Sequence, residues 1–457
     1  NYENSKRAIE NAGGRVLNPR DAWRISRPLH TGNYNEWAWA ADGQSLILWL
    51  QYYKGISHLQ VLQYLQAEGI EIREERESDR RFEIVFDPEK LDQLLAFGAI
   101  QYIEERFAPG EPENYTAATN HRVNYLQQGP FNGGLNYDGT GIMVAHNDAG
   151  GITEHIDFKG RFSQNAGNAG SDHGDHTAGT ISAAGNANPR GRGMAPGADM
   201  FYREYPANLN DADNVYTSIN ARLTSNSFSN GCNNGYSTWS QQLDKDAYDN
   251  PLMLHVFSAG NNGSSSCAVD YGAGLGWGNI TGGHKQAKNV VTVGNVTTTD
   301  GLAPSSSRGP ASDGRIKPDI CAVGTQVFST TDANGPNSYN SKTGTSMSCP
   351  GVTGTLAVLM QAYKDLNNGS EAHGALLKGT LMNTAEDLGN VGPDYRFGYG
   401  RINARRAYEV LENNWFAEDS VGTGDSATFS FNIPSNTAQA RFLVIWPDRE
   451  ASPSAAR

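Results

Sequence analysis

Six short apolar runs lie between residues 142 and 323, and they constrain the fold of this chain more than any other feature. Segments with helical patterns separate them, and the runs are Ile142–Ala145, Met200–Tyr202, Leu223–Phe228, Leu252–Phe257, Val290–Val293 and Ile320–Val323. Continuous apolar strands that alternate with helices are typical of a parallel sheet covered on both faces. The sequence therefore predicts an α/β fold, in which functional groups collect at the carboxyl ends of the strands.

The size and charge of the chain limit what it can be. With 457 residues it is too long for one ordinary domain. The formal net charge is -13 and there is no dense run of Lys and Arg, which argues against binding to nucleic acid or an anionic membrane surface. The mean hydropathy is -0.56 and no apolar run approaches transmembrane length. We expect a water-soluble protein of two or three domains.

A small domain precedes the six runs. Residues 1–41 read only as an N-terminal extension, whereas residues 42–106 give the order β-α-β-β-α-β of a ferredoxin-like domain. Its predicted strands are Leu46–Leu50, Ile70–Ile72, Phe82–Phe86 and Ile100–Ile103; Leu59, Leu62 and Leu65 mark the first helix, and Asp87 and Pro88 open the second. Residues 107–120 are rich in Pro, Gly and polar side chains and are predicted to form a linker to the larger domain, residues 121–412.

The pattern of apolar and polar residues changes after Leu411. Apolar residues alternate with polar ones at Ala427, Phe429, Phe431 and Ile433, and again at Phe442, Val444 and Trp446. This period of two predicts a pair of antiparallel strands, and such a pair is not stable alone. Residues 413–457 are therefore predicted to be part of an antiparallel β domain.

The run Thr343-Gly344-Thr345-Ser346-Met347-Ser348-Cys349-Pro350 places a serine just ahead of the buried helical pattern Val352–Met360. At a helix N-terminus, free backbone N–H groups and the helix dipole favour a developing negative charge. A serine alone at such a position usually caps the helix. The other polar segments of the chain favour a chemical role for Ser346.

Three further segments end or begin predicted elements with groups that a serine nucleophile needs. Asp148 ends an apolar strand, His173 and His176 begin a helical pattern, and Asn261 follows another strand. A serine hydroxyl requires a base, a carboxylate that orients the base, and donors for the oxyanion. The spacing of the two histidines, three residues apart, leaves open which one is the base.

The four motifs, in the order Asp, His, Asn, Ser, resemble those of the subtilisin-like serine peptidases. The resemblance covers residues 120–411 and implies that Ser346 is the nucleophile, His173 the base, Asp148 the orienting acid and Asn261 the oxyanion donor. It also implies that Ser227, Phe228 and Ser229 pair with the substrate backbone, and that they form a substrate pocket with Ser258, Ala259 and Gly260, with Gly282 or Gly283 near its floor. The chain would then be an endopeptidase that forms an acyl-enzyme on protein or peptide substrates.

The same resemblance gives the other domains a role. Residues 42–106 would be a prodomain that assists folding and inhibits the enzyme within the same chain, with self-cleavage in the linker 107–120. Residues 413–457 would begin the β-sandwich found in some secreted bacterial members. The enzyme would be secreted and would bind structural Ca²⁺ in surface loops, for which Asn208–Asp213 is a candidate. Cys232 and Cys267, both in Gly- and Ser-rich loops, are candidates for a disulfide, whereas Cys321 and Cys349 are expected to be buried.

Some residues depart from the family pattern, and two other functions stay open. Asp175 stands where Thr is usual and would raise the pKa of the base, Gly351 stands where His is usual, and His146 and Asn147 replace apolar residues. Asp172, His173, Asp175 and His176 would suit a metal-dependent hydrolase, although further ligands at suitable spacing are lacking. The third possibility is a catalytically inactive binding scaffold.

Overall fold

The computed structural model describes residues 23–35, 38–106, 114–150, 152–165, 171–205, 212–232, 235–265, 273–333 and 335–454. The chain divides into two compact units, Asn1–Glu111 and Pro112–Arg457. Within the described residues, no helix combines the length and the apolar character that crossing a membrane requires.

The first unit is a four-stranded antiparallel sheet with helices. In chain order its elements are α1 (Arg27–Thr31), β1 (Leu46–Tyr52), α2 (His58–Ala67), β2 (Glu71–Arg76), β3 (Arg81–Phe86), α3 (Leu91–Ala96) and β4 (Ile100–Glu105), and the strand order is β2-β3-β1-β4. Leu48 and Leu50 of β1 face the core together with Phe82 and Ile84 of β3. This confirms the predicted β-α-β-β-α-β arrangement. On α2 the buried residues are Val61 and Leu65, whereas the expected Leu59 is exposed.

The second unit contains a parallel sheet. Its elements are α4 (Asn114–Asn120), α5 (Val123–Gln127), β5 (Met143–Asp148), β6 (Phe162–Asn165), α6 (Asp172–Ser182), β7 (Asp199–Glu204), α7 (Ala212–Thr217), β8 (Leu223–Asn226), α8 (Thr238–Asp249), β9 (Leu254–Ser258), β10 (Val291–Val296), β11 (Ile320–Val323), β12 (Val327–Thr331), β13 (Ser338–Lys342), α9 (Thr345–Leu366), α10 (Gly374–Thr384) and α11 (Ala404–Glu412). The seven strands run in the order β11-β10-β9-β8-β5-β7-β6, and all their pairings are parallel.

Helices cover both faces of this sheet. Alternate residues of each strand point to opposite faces, and they pack into different hydrophobic clusters with different helices. Val144 and Val256 belong to the large core with Ile181 of α6 and Leu356 of α9. On the opposite face, Ala145 packs with Val215 of α7, and Phe257 packs with Leu243 of α8. The predicted three-layer α/β core is therefore confirmed.

The second unit begins with a helix in a stretch that the sequence predicted to be a linker. Residues 114–120, in the second half of the predicted linker, form α4, whose Ala117 joins the large core. The Asn120 side chain donates to the Thr298 carbonyl oxygen at 2.7 Å. The polar composition of residues 107–120 predicted a linker. It could not show that residues 114–120 form a helix that packs within the second unit.

The segment after α11 differs from the sequence prediction. The antiparallel sheet that follows the parallel one is the pair β12 and β13, and no described residue from 413 to 454 belongs to a strand. Leu443 and Ile445 lie near Gly379 of α10, whereas Val444 and Trp446 are 81% and 65% exposed. Alternation was present, but two strands without further partners cannot form a stable sheet. The β-sandwich therefore stays a prediction.

Candidate active site

Asp148 and His173 form a hydrogen-bonded pair at the carboxyl end of the parallel sheet. Asp148 is the last residue of β5, and its Oδ1 lies 2.6 Å from Nδ1 of His173, in the first turn of α6. The backbone N–H of Ala149 donates to the same carboxylate oxygen at 2.7 Å. The carboxylate therefore accepts a hydrogen bond from Nδ1–H of His173. The other ring nitrogen, Nε2, makes no hydrogen bond to a described residue.

The interaction with Asp148 raises the pKa of His173 above its ordinary value. Burial lowers this pKa, but the hydrogen bond and the negative charge of Asp148 more than offset the effect, and Asp172 adds to the rise. Asp175 does not act as the sequence analysis expected. Its carboxylate accepts the N–H and O–H of Thr153 at 2.8 and 2.9 Å, and burial raises its own pKa to about 6. The negative charges that raise the pKa of the imidazole are those of Asp148 and Asp172 instead.

His176 occupies a different environment. Its side chain is fully buried, and Nε2 donates to the carbonyl oxygens of Val327 at 2.9 Å and Asn340 at 3.2 Å. Burial lowers its pKa to about 3, so the ring is neutral at physiological pH. His176 therefore ties α6 to β12 and β13, and the geometry favours His173 as the base.

Ser346 lies in the first turn of α9, as the sequence analysis predicted for a serine at a helix N-terminus. It is 9% exposed, and its Oγ donates to the carbonyl oxygen of Ser227 at 3.2 Å. Among the described residues it makes no hydrogen bond with His173, and at unliganded active sites such contacts are often long or poorly aligned. Helices α6 and α9 cross closely, because Gly354 places its backbone against the Ile181 carbonyl.

Asn261 lies beside the same helix N-terminus. Its Oδ1 accepts the backbone N–H of Thr345 at 3.0 Å and the Thr345 hydroxyl at 3.2 Å. These contacts fix the amide plane, and Nδ2 makes no hydrogen bond to any residue that the structure describes. A free amide donor next to the first turn of α9 is the arrangement that an oxyanion requires.

The predicted substrate-binding residues follow two neighbouring strands. Ser227, Phe228 and Ser229 come directly after β8, while Ser258 ends β9 and continues into Ala259 and Gly260. Ser227 donates through its hydroxyl to the Ser346 carbonyl at 3.1 Å, so this segment borders the serine. The Phe228 ring is buried and stacks on Tyr205, with 4.7 Å between ring centroids, whereas Ser229 is exposed. Of these side chains, Ser229 is open to a ligand.

Two further residues, Thr177 and His146, support Asp148 in a way that was not predicted from the sequence. Thr177 donates its hydroxyl proton to Oδ2 of Asp148 at 2.8 Å, and Nε2 of His146 lies 3.0 Å from the Thr177 hydroxyl oxygen. His146 is fully buried, and burial lowers its pKa to about 4. Thr177 is four residues after His173 on one helix face, and His146 is two residues before Asp148 on one strand face. These spacings were the signal that could have identified both.

The structure gives no support to a metal site at the histidine motif. Asp172 bonds to Thr331 and Lys342, Asp175 to Thr153, and the two histidines to the different partners described above. No group of three His, Cys, Asp or Glu side chains is placed to hold a metal ion in the described part of the chain. Of the calcium candidate, Asn208–Asp211 lies outside the described residues, and Oδ1 of Asp213 accepts the Asn250 amide at 3.1 Å.

The cysteines fall into two groups. Cys232 is disulfide-bonded, and its predicted partner Cys267 lies outside the described residues. Cys321 and Cys349 are free thiols, and both are fully buried as expected.

Comparison with known proteins places the chain in a family. Residues 139–400, more than half of the chain, match the Subtilase family. The chain is 29% identical to alkaline elastase YaB of Bacillus sp. (strain YaB) over 75% of its own length and 83% of the relative's. It is also 29% identical to subtilisin DY of Bacillus licheniformis, over 59% of this chain and 92% of that protein.

A solved structure shows the same fold. The CspB protease of Clostridium perfringens superimposes with a TM-score of 0.56 at 17% sequence identity, covering 65% of this chain and 99% of that structure. Together with the seven-stranded parallel sheet and the family match, these similarities show that the chain belongs to the subtilase family and is a subtilisin-like serine peptidase.

Proposed function

We propose that Ser346, His173, Asp148 and Asn261 carry out peptide-bond hydrolysis through an acyl-enzyme. The observation that carries this proposal is the 2.6 Å hydrogen bond between Asp148 and His173, because it leaves Nε2 of the imidazole available to a substrate-bound serine. Nearby, Ser346 and Asn261 provide a hydroxyl and a free amide at one helix N-terminus.

The reaction begins when the Ser346 hydroxyl turns from the Ser227 carbonyl toward His173. Its proton passes to Nε2 as Oγ bonds to the substrate carbonyl carbon, and Asp148 stabilises the imidazolium. The carbonyl oxygen becomes an oxyanion that accepts hydrogen bonds from Nδ2 of Asn261 and the N–H of Ser346. His173 then protonates the leaving amine, which leaves an acyl group on Ser346. A water molecule that His173 deprotonates attacks the acyl carbon, and the carboxylic product departs.

A fluorophosphonate probe tests this assignment. We expect it to label Ser346 in the wild-type protein and to label neither the Ser346→Ala nor the His173→Ala variant. Asn261→Ala should lower kcat by roughly 10²–10³-fold, the loss seen when subtilisin lacks its corresponding donor. Labelling of a different serine would overturn the assignment, and inhibition by a chelator without any labelling would support the metal-dependent alternative. A folded protein that shows neither labelling by the probe nor inhibition by a chelator would support the third alternative, a catalytically inactive binding scaffold.

We further propose that the enzyme is made as a self-processing zymogen and that the first unit inhibits the second until it is cleaved off. The proposal is supported by the separate core of the first unit and by its position ahead of the peptidase. Intact mass measurement during expression should show cleavage between residues 106 and 120 in the wild type. The Ser346→Ala variant should keep its full mass, and cleavage of that variant at the same rate would exclude self-processing.

Secretion is proposed on the basis of the cysteine chemistry. A disulfide at Cys232 persists in an oxidising compartment and is rare in the cytosol. We expect the protein in the culture medium of its source cells, with two thiols that react only after unfolding. Recovery from the cell lysate alone, with four reactive thiols, would contradict secretion.

Structural calcium is proposed from the family resemblance alone. The described residues provide no cluster of carboxylates for it, so the ligands would include loop residues such as Asn208–Asp211. Thermal unfolding in EDTA and in excess calcium tests the proposal, because an ion that binds only the folded state raises Tm. An unchanged Tm would exclude it.

A further inference from the structure

A buried lysine lies behind the pocket that adjoins Ser346. Lys285 belongs to a 3₁₀-helix, Gly283–Gln286, and its side chain is fully buried. Its ammonium group donates to the hydroxyl oxygens of Ser229 at 3.0 Å and Thr281 at 2.8 Å. None of the described carboxylates forms an ion pair with it. A buried cation balanced only by hydroxyl groups is costly to the fold, so its presence calls for an explanation.

The two hydroxyl groups close the space between the segments that border the nucleophile. The Thr281 N–H donates to the Ala259 carbonyl at 3.0 Å, which attaches Thr281 to the segment after β9. The Thr281 hydroxyl oxygen lies 2.6 Å from that of Ser229, in the segment after β8. Ser227 borders Ser346, and Ala259 lies two residues before Asn261, so the side chain of a substrate residue bound at Ser346 would enter this space. The Ser229–Thr281 contact is therefore the floor that the side chain of the attacked residue, P1, would meet.

The lysine determines which way these hydroxyl groups point. An ammonium group only donates, so it occupies an acceptor site on each oxygen and leaves their O–H bonds for other acceptors. The two hydroxyl oxygens lie 2.6 Å apart, so one of them donates to the other, and with Thr281 as the donor the O–H of Ser229 stays available. Ser229 is exposed, and its O–H can then donate into the pocket, with a positive charge directly behind it. An anionic ligand fits such a floor better than a neutral or cationic one.

Among the described side chains that contact Ser229 and Thr281, Lys285 supplies the charge. Cys349 of α9 and the adjacent His284 are the titratable side chains that act on it. Burial raises the pKa of the Cys349 thiol and lowers that of His284 well below its ordinary value. The Lys285 backbone carbonyl accepts the Thr292 hydroxyl at 2.9 Å, which holds the 3₁₀-helix against β10. The cation is therefore fixed in place.

We propose that Lys285 makes this peptidase select substrates with an acidic P1 side chain, which Ser229 would bind through its hydroxyl group. The proposal rests on the peptidase function proposed above. It predicts a preference for glutamate over the isosteric, uncharged glutamine, because the two differ only in the charge that Lys285 would recognise.

Peptide substrates that differ only at P1 test the proposal. With the wild-type protein at pH 6, we expect kcat/KM for P1 Glu to exceed that for P1 Gln by about tenfold or more, the usual scale for a charge-assisted hydrogen bond. Lys285→Met should bring this ratio below one. Lys288→Met, three residues away and paired with Asp448, removes the same charge and should leave the ratio unchanged. A wild-type ratio at or below one would overturn the proposal.

A second measurement needs no variant and so does not depend on whether Lys285→Met folds. Burial lowers the pKa of Lys285 to about 7, so the ammonium is charged below that pH and loses its charge above it. The Glu/Gln ratio should therefore fall as the pH rises from 6 to 9, while effects of His173 cancel in the ratio. A pH-independent ratio would contradict the role of Lys285. If the probe labels Ser346 but P1 Glu is not preferred, only this proposal fails; if no peptide is cleaved and no serine is labelled, the peptidase function fails with it.

Discussion

The hydroxyl group of Thr177 connects the catalytic pair to a second, buried histidine. Asp148 accepts a hydrogen bond from His173 on one oxygen and from Thr177 on the other. His146 in turn holds the Thr177 oxygen. A carboxylate fixed at both oxygens keeps the imidazole in one orientation, which is what a general base requires. In the proposed mechanism, Thr177 and His146 would therefore be positioning residues, which act on the reaction through Asp148.

Thr177→Val should lower kcat by roughly tenfold to a hundredfold while leaving KM nearly unchanged. The substitution keeps the shape of the side chain but leaves a buried carboxylate oxygen without its donor, which costs about 1–3 kcal/mol. Steady-state kinetics measure the effect. Thr180→Val is the matched control, because Thr180 lies on the same helix and its hydroxyl group bonds, among the described residues, only to the His176 carbonyl. Equal losses in both variants would show a general effect on the helix.

The acidic limb of the pH–activity profile should depend on Lys342. His173 must be neutral to accept the serine proton, and its raised pKa places the limb above the usual range for histidine. The positive charge of Lys342 lowers this pKa, so Lys342→Met should move the limb of kcat/KM to higher pH. Lys364→Met, near the end of α9, should not move it. A shift to lower pH would contradict the electrostatic assignment.

The same raised pKa has a consequence for stability. A histidine whose pKa is higher in the folded state contributes stability that is fully present below its unfolded pKa. This contribution is lost as the pH rises through the folded-state pKa. The Asp148–His173 pair therefore favours the folded state at acidic pH, where His173 is protonated and, in the proposed mechanism, could not accept the serine proton.

At the scale of elements, the sequence predicted what depends on local pattern. The apolar runs identified the central strands, and the turn before Val352 identified the start of α9 near Ser346. The contacts of His176 with β12 and β13 depend on chain segments 151 and 164 residues away, so spacing within α6 could not distinguish it from His173. The alternation of apolar and polar residues after residue 427 predicted strands with one apolar and one polar face. It could not show that Leu443 and Ile445 are the residues that lie on α10.

The crossing of α6 and α9 brings the base and the nucleophile to one edge of the sheet, and it depends on Gly354. A Cβ atom at this position would lie 2.7 Å from the Met194 side chain and 3.0 Å from the Ile181 carbonyl oxygen. Gly354→Val should therefore push the helices apart and destabilise the second unit by about 1–3 kcal/mol, with a loss of activity. Thermal unfolding measures the change. Thr355→Val, the next residue on α9, adds no volume, and an equal loss in that variant would refute the close-packing explanation.

At the scale of the whole molecule, the first unit carries a hydrophobic core of its own. Leu48, Leu50, Phe82 and Ile84 are fully buried, and the helices α2 and α3 add Leu65 and Leu94 to the same cluster. Composition and element order could predict this unit, because its contacts connect strands and helices that are close in sequence. The second unit requires contacts between segments far apart, which is why its site geometry was not predictable in detail.

We expect residues 23–106, expressed alone, to fold cooperatively with a stability of only about 3–5 kcal/mol, because a unit of this size supports a small core. Urea unfolding followed by circular dichroism measures it. Phe82→Ala should abolish folding, since removing a buried aromatic ring costs about 3–5 kcal/mol, as much as the whole unit has available. Leu59→Ala, at an exposed position of α2, should leave the midpoint nearly unchanged. A fragment that is unfolded without urea would show that the core of the first unit is insufficient without the rest of the chain.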